Sequence, residues 1–402
     1  MNSFLEKSIG DVSRFFKFGE EEMQILRDVD EAAEEIRPVE VESYLKREVN
    51  MEVFTILKRH ELSGMPISPE YGGRDANPLV SALAFERLGQ VYVGLGAITS
   101  MALCAKTIED WGTDYQKERY VVPVCRGESI LAFALTEPEA GSDIDGIQCR
   151  YEGRGGHYVL NGTKYLVTNG VIGDALITFA RSSESNSITA FIVDKKSKGL
   201  TATPLKEKMG GFTSDLGLVE FDQVEVPREN VLGPLDGGKK VAYSAFMSGR
   251  LRLAAVCLGV MEDCLSSSVE RVKERVTFGK VLGKQQLIQE HIAQMVMNLE
   301  ASRWLCYNAA FRLMDWEKDR KNLALRRDAD QAVVIAKRMA AEYAWNTADR
   351  AVQIFGGFGY SIMSGPTRHL LNVRVARVGE GTDEILSLKI AAELLGREYE
   401  SY

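Results

Sequence analysis

The hydrophobic period of this chain changes twice. Apolar residues recur three and four apart over the first third, run in short alternating stretches through roughly a hundred residues in the middle, then return to helical spacing. One layer of helix or sheet cannot satisfy that pattern. The chain therefore reads as an α+β multidomain protein, helical, then β, then helical, with expected boundaries at 1–130, 131–236 and 237–402.

The first block contains the amphipathic stretches "EEMQILRDVDEAAEEIRPVEVESYL" and "PLVSALAFERLGQVY", interrupted by the loop "PISPEYGGRDANP". From near Ser129, "ILAFAL", "HYVLNGTKYLVTNG", "DALITFAR", "SITAFIVDK", "GLTATPL" and "LGLVEFDQVEVP" read as strands of an antiparallel β domain. Asn161-Gly162 is expected to turn a hairpin between two of them. Helices are predicted from Val241 to Arg275, Lys284 to Trp316 and Arg326 to Phe355. The third carries a buried stripe of Ala341, Ala344, Trp345, Ala348, Ala351, Val352 and Phe355.

A formal charge of −8 argues against nucleic acid as the main partner. The six cysteines form no C-x-x-C pair and do not group with the four histidines, so they are expected to be reduced packing thiols, with no metal site. The opening "MNSFLEKSIGDVSRFF" has no leader-like apolar run, and no window approaches the roughly 18 to 20 apolar residues of a membrane span. The expected location is cytoplasmic.

Several stretches could carry chemistry. "FALTEPEAGSD", Phe133 to Asp143, ends a strand and opens into a loop. Its backbone N–H groups and the hydroxyls of Thr136 and Ser142 could meet a planar polar ligand or a phosphate, or the segment could be an ordinary turn. "LVTNG" ends another strand on the hydroxyl of Thr168. "ERVTFGK" breaks two helices with Arg275, Thr277 and Phe278. The glycines of "VQIFGGFGY" suit a helix C-cap, or the close approach of a pyrophosphate. Glu380, between Gly379 and Gly381, is either a solvated or dipole-stabilising acid or a general base. Its apolar approach "RVARVG" favours partial burial and a raised pKa.

In their order, these stretches resemble the acyl-CoA dehydrogenase family from about Glu20 to Leu395. The resemblance is carried by "PISPEYGG", "GTDYQKERYVVPVCRGESILAFALTEPEAGSD", "LNGTKYLVTNG", "VEVPRENVLG", "SGRLRLAA", "RVTFGK", "AVQIFGGFGY" and "GEGTDEI". It implies an N-terminal α-helical domain, a middle antiparallel β-barrel or sandwich domain and a C-terminal four-helix bundle, with FAD between the last two.

The resemblance also implies site roles. Phe133, Leu135, Thr136 and Thr168 would hold the flavin ring. Arg275, Thr277, Phe278 and Gln286 would meet the pyrophosphate and adenine of a neighbouring subunit's FAD, with Gln353, Gly356 and Gly357. Thr382 and Glu384 would complete that site, and Ser142, Arg250 and Gly381 would meet the substrate. A homodimer is then the least assembly, and a homotetramer is common in the family.

Glu380 matches the family's base, which removes the α-proton of an acyl thioester while the β-hydrogen leaves as hydride to the flavin. Electrons would pass on to an electron-transfer flavoprotein, in fatty acid or amino acid catabolism. Some members place the base on a helix, at the position that is Gly249 here. The chain departs from the family's pattern at Gly379, Leu166, Met247, Lys239 and Leu371-Asn372. These leave open a same-fold dehydrogenase acting on an acyl-carrier protein or other non-CoA substrate, and a flavin oxidase or monooxygenase.

Overall fold

The computed structural model describes residues 12, 13, 15–91, 94 and 96–399. The leader-like run sought at the start, and the very end of the chain, lie mostly outside them.

The first layer includes α1 (Glu20–Lys46), α2 (Glu52–Arg59), α3 (Pro78–Gly89) and α4 (Gly96–Trp111). Three acids stand in the first turn of α1, where they face the positive end of the helix dipole, and Glu22 accepts from the Gly19 N–H at 2.6 Å. Asn77 caps α3 by accepting from the N–H groups of Leu79 and Val80, and Pro78 stands where no intrahelical donor is needed. Because α3 is buried throughout, its one acid has to be matched. The Glu86 carboxylate accepts from Arg303 at 3.0 and 3.1 Å and from the Tyr307 hydroxyl at 2.6 Å.

The middle of the chain forms β1 (Leu131–Ala134), β2 (Arg150–Arg154), β3 (His157–Thr168), β4 (Ala175–Ser182), β5 (Ile188–Asp194), β6 (Leu200–Pro204), β7 (Leu216–Pro227) and β8 (Val231–Leu232). Their order is β6-β7-β3-β2-β4-β5-β8, with β1 also on β4. The sheet is mixed rather than purely antiparallel: β4 runs parallel to both β1 and β2. Alternation along the strands sends Ile177, Phe179 and Ile192 into the core shared with α4 and the next long helix. Tyr151, Leu160, Phe191 and Phe221 enclose a second core.

The hairpin expected at Asn161-Gly162 does not form. β3 is one continuous strand paired with β7 along its length, and Gly162 marks a bulge in that ladder. A β-carbon at Gly162 would stand 2.6 Å from Cys149 Cα, so the glycine serves close strand approach rather than a turn.

The last block contains α5 (Gly238–Glu274), the hairpin β9 (Val276–Thr277) and β10 (Lys280–Val281), α6 (Gln286–Lys318), α7 (Leu323–Phe355), α8 (Gly365–Val373) and α9 (Asp383–Leu395). The stripe predicted on α7 buries Ala341, Ala344, Ala348 and Ala351 in the core, with Trp345 and Phe355 packed at its edge. Against expectation, α5 is long and apolar enough to cross a membrane by length and composition. Its most apolar window is 78% buried inside the protein, so that surface is taken up by the core.

Candidate active site

Glu380 stands at the N-terminal approach to α9, where Thr382 caps the helix by accepting from the Ile385 N–H at 3.3 Å. Glu380 has φ 55 and Gly381 has φ 93, so two successive residues occupy the left-handed region. The bend is held from both sides. Arg250 of α5 donates from Nε to the Glu380 carbonyl at 3.1 Å, and Lys337 of α7 donates to the Gly381 carbonyl at 2.6 Å. The Glu380 N–H has no acceptor among the described residues.

The residue as a whole is half-buried, but its Oε2 is fully buried and has no hydrogen-bond partner among the described residues. Burial pushes the carboxyl above its usual 4.5, and the positive charges of Arg250, Lys337 and Arg252 oppose that rise. The side chain packs on a glycine. A β-carbon at Gly249 would lie 3.0 Å from the Glu380 carboxylate carbon and 2.7 Å from Leu103 Cδ1.

Beside this bend lies a cavity of about 520 Å³. One wall is Leu166 and Thr168 at the end of β3 with Leu216 at the start of β7. The other is Val256 of α5 with Val375 and Val378, just before Glu380. The walls are largely apolar, yet Asn372 Nδ2 and His369 Nδ1 are buried on its lining without partners. An apolar slot with unpaired polar atoms along part of its edge suits a flat aromatic ring system with a polar rim, as FAD has.

The loop expected to meet such a ring is braced by a buried ion pair. Lys164 donates to the Leu135 carbonyl at 2.9 Å and to Glu137 at 2.6 Å, and Glu137 also accepts from the Cys149 N–H. The Thr136 carbonyl accepts from the Tyr165 N–H at 2.8 Å, setting the loop next to Leu166 and Thr168. Leu135 is buried, and Phe133 packs on Phe179 and Phe246.

Of the candidates, Thr168 lines the cavity, Arg250, Glu380, Gly381 and Thr382 meet at the bend, and Thr136 is joined to β3 through the Tyr165 N–H. Ser142 is exposed on its loop, and Glu384 is exposed in the first turn of α9. The remaining candidates do not join this cavity within one chain. Arg275, Gln286, Gln353, Gly356 and Gly357 are exposed, Thr277 is half-buried, and Phe278 is 98% exposed at the tip of the β9–β10 hairpin.

Sequence reasoning missed Lys337 and Arg252. Lys337 is fully buried four residues before Ala341, on the apolar stripe of α7, and burial lowers its pKa to about 8. A lysine interrupting that stripe was the available signal. The departures also find their places. Asn372 accepts from the Gly211 N–H, Lys239 pairs with Asp145, and Met247 is buried in the helical core.

Models of the acyl-CoA dehydrogenase N-terminal, middle and C-terminal domains match residues 19–128, 132–224 and 236–395. A short-chain specific acyl-CoA dehydrogenase of Megasphaera elsdenii is 37% identical over 343 residues, covering 83% of this chain and 87% of that protein. The solved butyryl-CoA dehydrogenase from Megasphaera elsdenii superposes with a TM-score of 0.88 at 34% identity, over 95% of this chain and 100% of that one. A chain from work on the electron transferring flavoprotein of Acidaminococcus fermentans also has a TM-score of 0.88, at 32% identity, covering 94% of this chain and 99% of that one.

Proposed function

The chain belongs to the acyl-CoA dehydrogenase family, and on that premise we propose that Glu380 is the base that takes the α-proton of an acyl-CoA thioester. The protein is an FAD-dependent oxidoreductase that converts an acyl thioester to the trans-2-enoyl thioester. Bound FAD supplies the acceptor for the hydride that leaves the β-carbon.

The observation that carries the assignment is the buried, unpartnered Oε2 of Glu380 beside an apolar cavity. A desolvated carboxylate whose charge is kept only by Arg250, Lys337 and Arg252 is a stronger base than a solvated one. The free Glu380 N–H points to the second requirement. A thioester carbonyl accepting from it would gain most as negative charge develops on that oxygen. Arg250 and Lys337 hold the successive carbonyls of Glu380 and Gly381, which fixes the bend that presents that N–H and the carboxylate.

The exposed group around Arg275, Phe278, Gln353 and Gly356 fits the face that binds the FAD of a second copy, in a homodimer or a pair of dimers. Phe278, 98% exposed at a hairpin tip, gives the apolar contact such a face needs. Electrons then leave to an electron-transfer flavoprotein, within acyl-group catabolism in the cytoplasm. Anaerobic titration of the purified holoenzyme with acyl-CoAs tests the reading, because the flavin loses its visible absorbance as it is reduced. A flavin that no acyl-CoA bleaches would reject it.

A further inference from the structure

Of the four histidines only His369 is buried, at 3% exposed. It stands on α8 with Nε2 2.9 Å from Oδ2 of Asp263 on α5. A carboxylate can only accept, so Nε2 carries a proton and donates it. Arg37 of α1 donates to the other Asp263 oxygen at 3.1 Å. Burial alone would push the Asp263 carboxyl up, but the His369 hydrogen bond and the Arg37 charge outweigh it and hold it below the usual 3.8. The carboxylate is therefore a fixed anion, and Arg37 already balances it.

That leaves Nδ1, which is buried without a hydrogen-bond partner among the described residues, on a side chain that lines the cavity of about 520 Å³. Val260 of α5 lines the same cavity, and Asp263 follows it by one turn, so the carboxylate lies just behind that wall. The neighbouring unpaired atom cannot change charge: Asn372 accepts from the Gly211 N–H through Oδ1, so its Nδ2 only donates. The charged and titratable groups around the pair are Arg37, Glu40 and Tyr44 from α1, Cys264 beside Asp263, Arg368 on α8, and Lys208 and Arg374 along the cavity. The arginines stay charged, Glu40 is held by Asn50, Gly94 and Thr213, and Lys208 donates to the Gly211 and Ser214 carbonyls.

We propose that the Asp263–His369 pair compensates charge for the flavin, with Nδ1 of His369 taking up one proton from solvent when the ring is reduced. A neutral ring that receives a hydride gains one negative charge. The added proton makes the imidazole a cation between the Asp263 carboxylate and the reduced ring, so the net charge of ring and wall is unchanged. Without it, a poorly solvated site would hold a new anion with no new countercharge. The α-proton assigned to Glu380 is a different proton. Any two-electron reduction of the flavin calls on His369, so the inference stands apart from the choice of base and of substrate.

The test measures the two-electron potential of bound FAD against a reference dye at a series of pH values. It uses the purified holoenzyme, reduced stepwise by light and a sacrificial donor with no acyl-CoA present. The ring takes up one proton with the two electrons, and His369 adds a second. Reduction in the wild type should therefore become about a hundredfold less favourable per pH unit, or about 60 mV, over part of the neutral range. His369→Gln removes the acceptor, and Asp263→Asn removes the anion behind it. Each should bring the slope down to about tenfold per pH unit, or about 30 mV, with the reduced ring's spectrum still that of the anion.

A wild-type slope of about 30 mV at every pH would overturn the assignment without recourse to a variant. So would variants that keep the steep slope, because the second proton would then sit on the ring or on another group. Loss of FAD from the variants, with the steep slope kept in the flavin that remains, would reduce the pair to a brace between α5 and α8. If neither variant retains flavin, the wild type decides by its reduced spectrum. A steep slope with an anionic ring upholds the pair, and one with a neutral ring rejects it.

Discussion

The Glu380 carboxylate rests on the α-carbon side of Gly249, so close that a β-carbon at 249 would stand 3.0 Å from the carboxylate carbon. The loop and the helix that could each carry a base thus converge on one small volume, and this chain fills it from the loop. Gly249→Ala is expected to displace the carboxylate while leaving the larger cavity intact. Stopped-flow bleaching should slow by roughly a hundredfold, the usual cost of a misplaced reacting group, with FAD content unchanged. A variant that bleaches at the wild-type rate would show that the contact does not position Glu380.

Glu380→Gln keeps the shape of the side chain and removes the proton acceptor. The reductive half-reaction is expected to fall by about two to four orders of magnitude, with FAD and thioester still bound. Single-turnover kinetics and flavin content read the two effects separately. Wild-type bleaching in this variant would exclude Glu380 as the base.

The burial of Glu380 sets the sign of two pH effects. Its folded pKa lies above the usual 4.5, so it becomes a competent base only as pH rises through that higher value. The bleaching rate should climb with it. Stability runs the opposite way. As pH rises from about 4.5, the unfolded chain loses this proton before the folded one does, so the site's contribution falls through that window. Denaturant titrations of wild type and Glu380→Gln should diverge there, with the variant the flatter of the two.

Arg275→Ala tests the exposed face. Because Arg275 is solvent-facing in one chain, its loss should leave the monomer's fold intact while releasing FAD and weakening self-association. Light scattering and flavin absorbance after gel filtration measure both. A variant that stays yellow and dimeric would place the dinucleotide elsewhere.

Arg303→Ala tests the helical core. Glu86 would be left buried and without its cation, and stability should drop by about 3–5 kcal/mol. Urea unfolding followed by circular dichroism reads the loss, and a change under about 1 kcal/mol would contradict it.

Much of the fold could be read from the sequence, because period alone separates helix from strand. The α7 stripe and the strands "DALITFAR" and "SITAFIVDK" were legible, since their burial follows their spacing. Pairing was less so. Asn161-Gly162 has the composition of a hairpin turn, but the twelve-residue run of β3 finds a partner in β7 along its whole length, and the glycine serves a bulge instead. The motifs gave Glu380, Thr136 and Thr168. Lys337 and Arg252 were hidden because each sits on an apolar helix face, where what matters is what lies opposite. Spacing within one helix cannot reveal that Gly381, Glu380 or a cavity stands there.

The backbone at Glu380 has an implication for how this protein can change over time. The left-handed conformation at φ 55 suits glycine, and a side chain there carries strain on the order of 1 kcal/mol or more. Mutation to glycine would therefore relax the bend, removing a buried acid at the same time. Drift toward a sturdier fold and retention of activity pull in opposite directions at this one codon. A glutamate found there in a descendant would be a mark of selection for chemistry, and a glycine a sign that the chain had kept its shape after giving up its reaction.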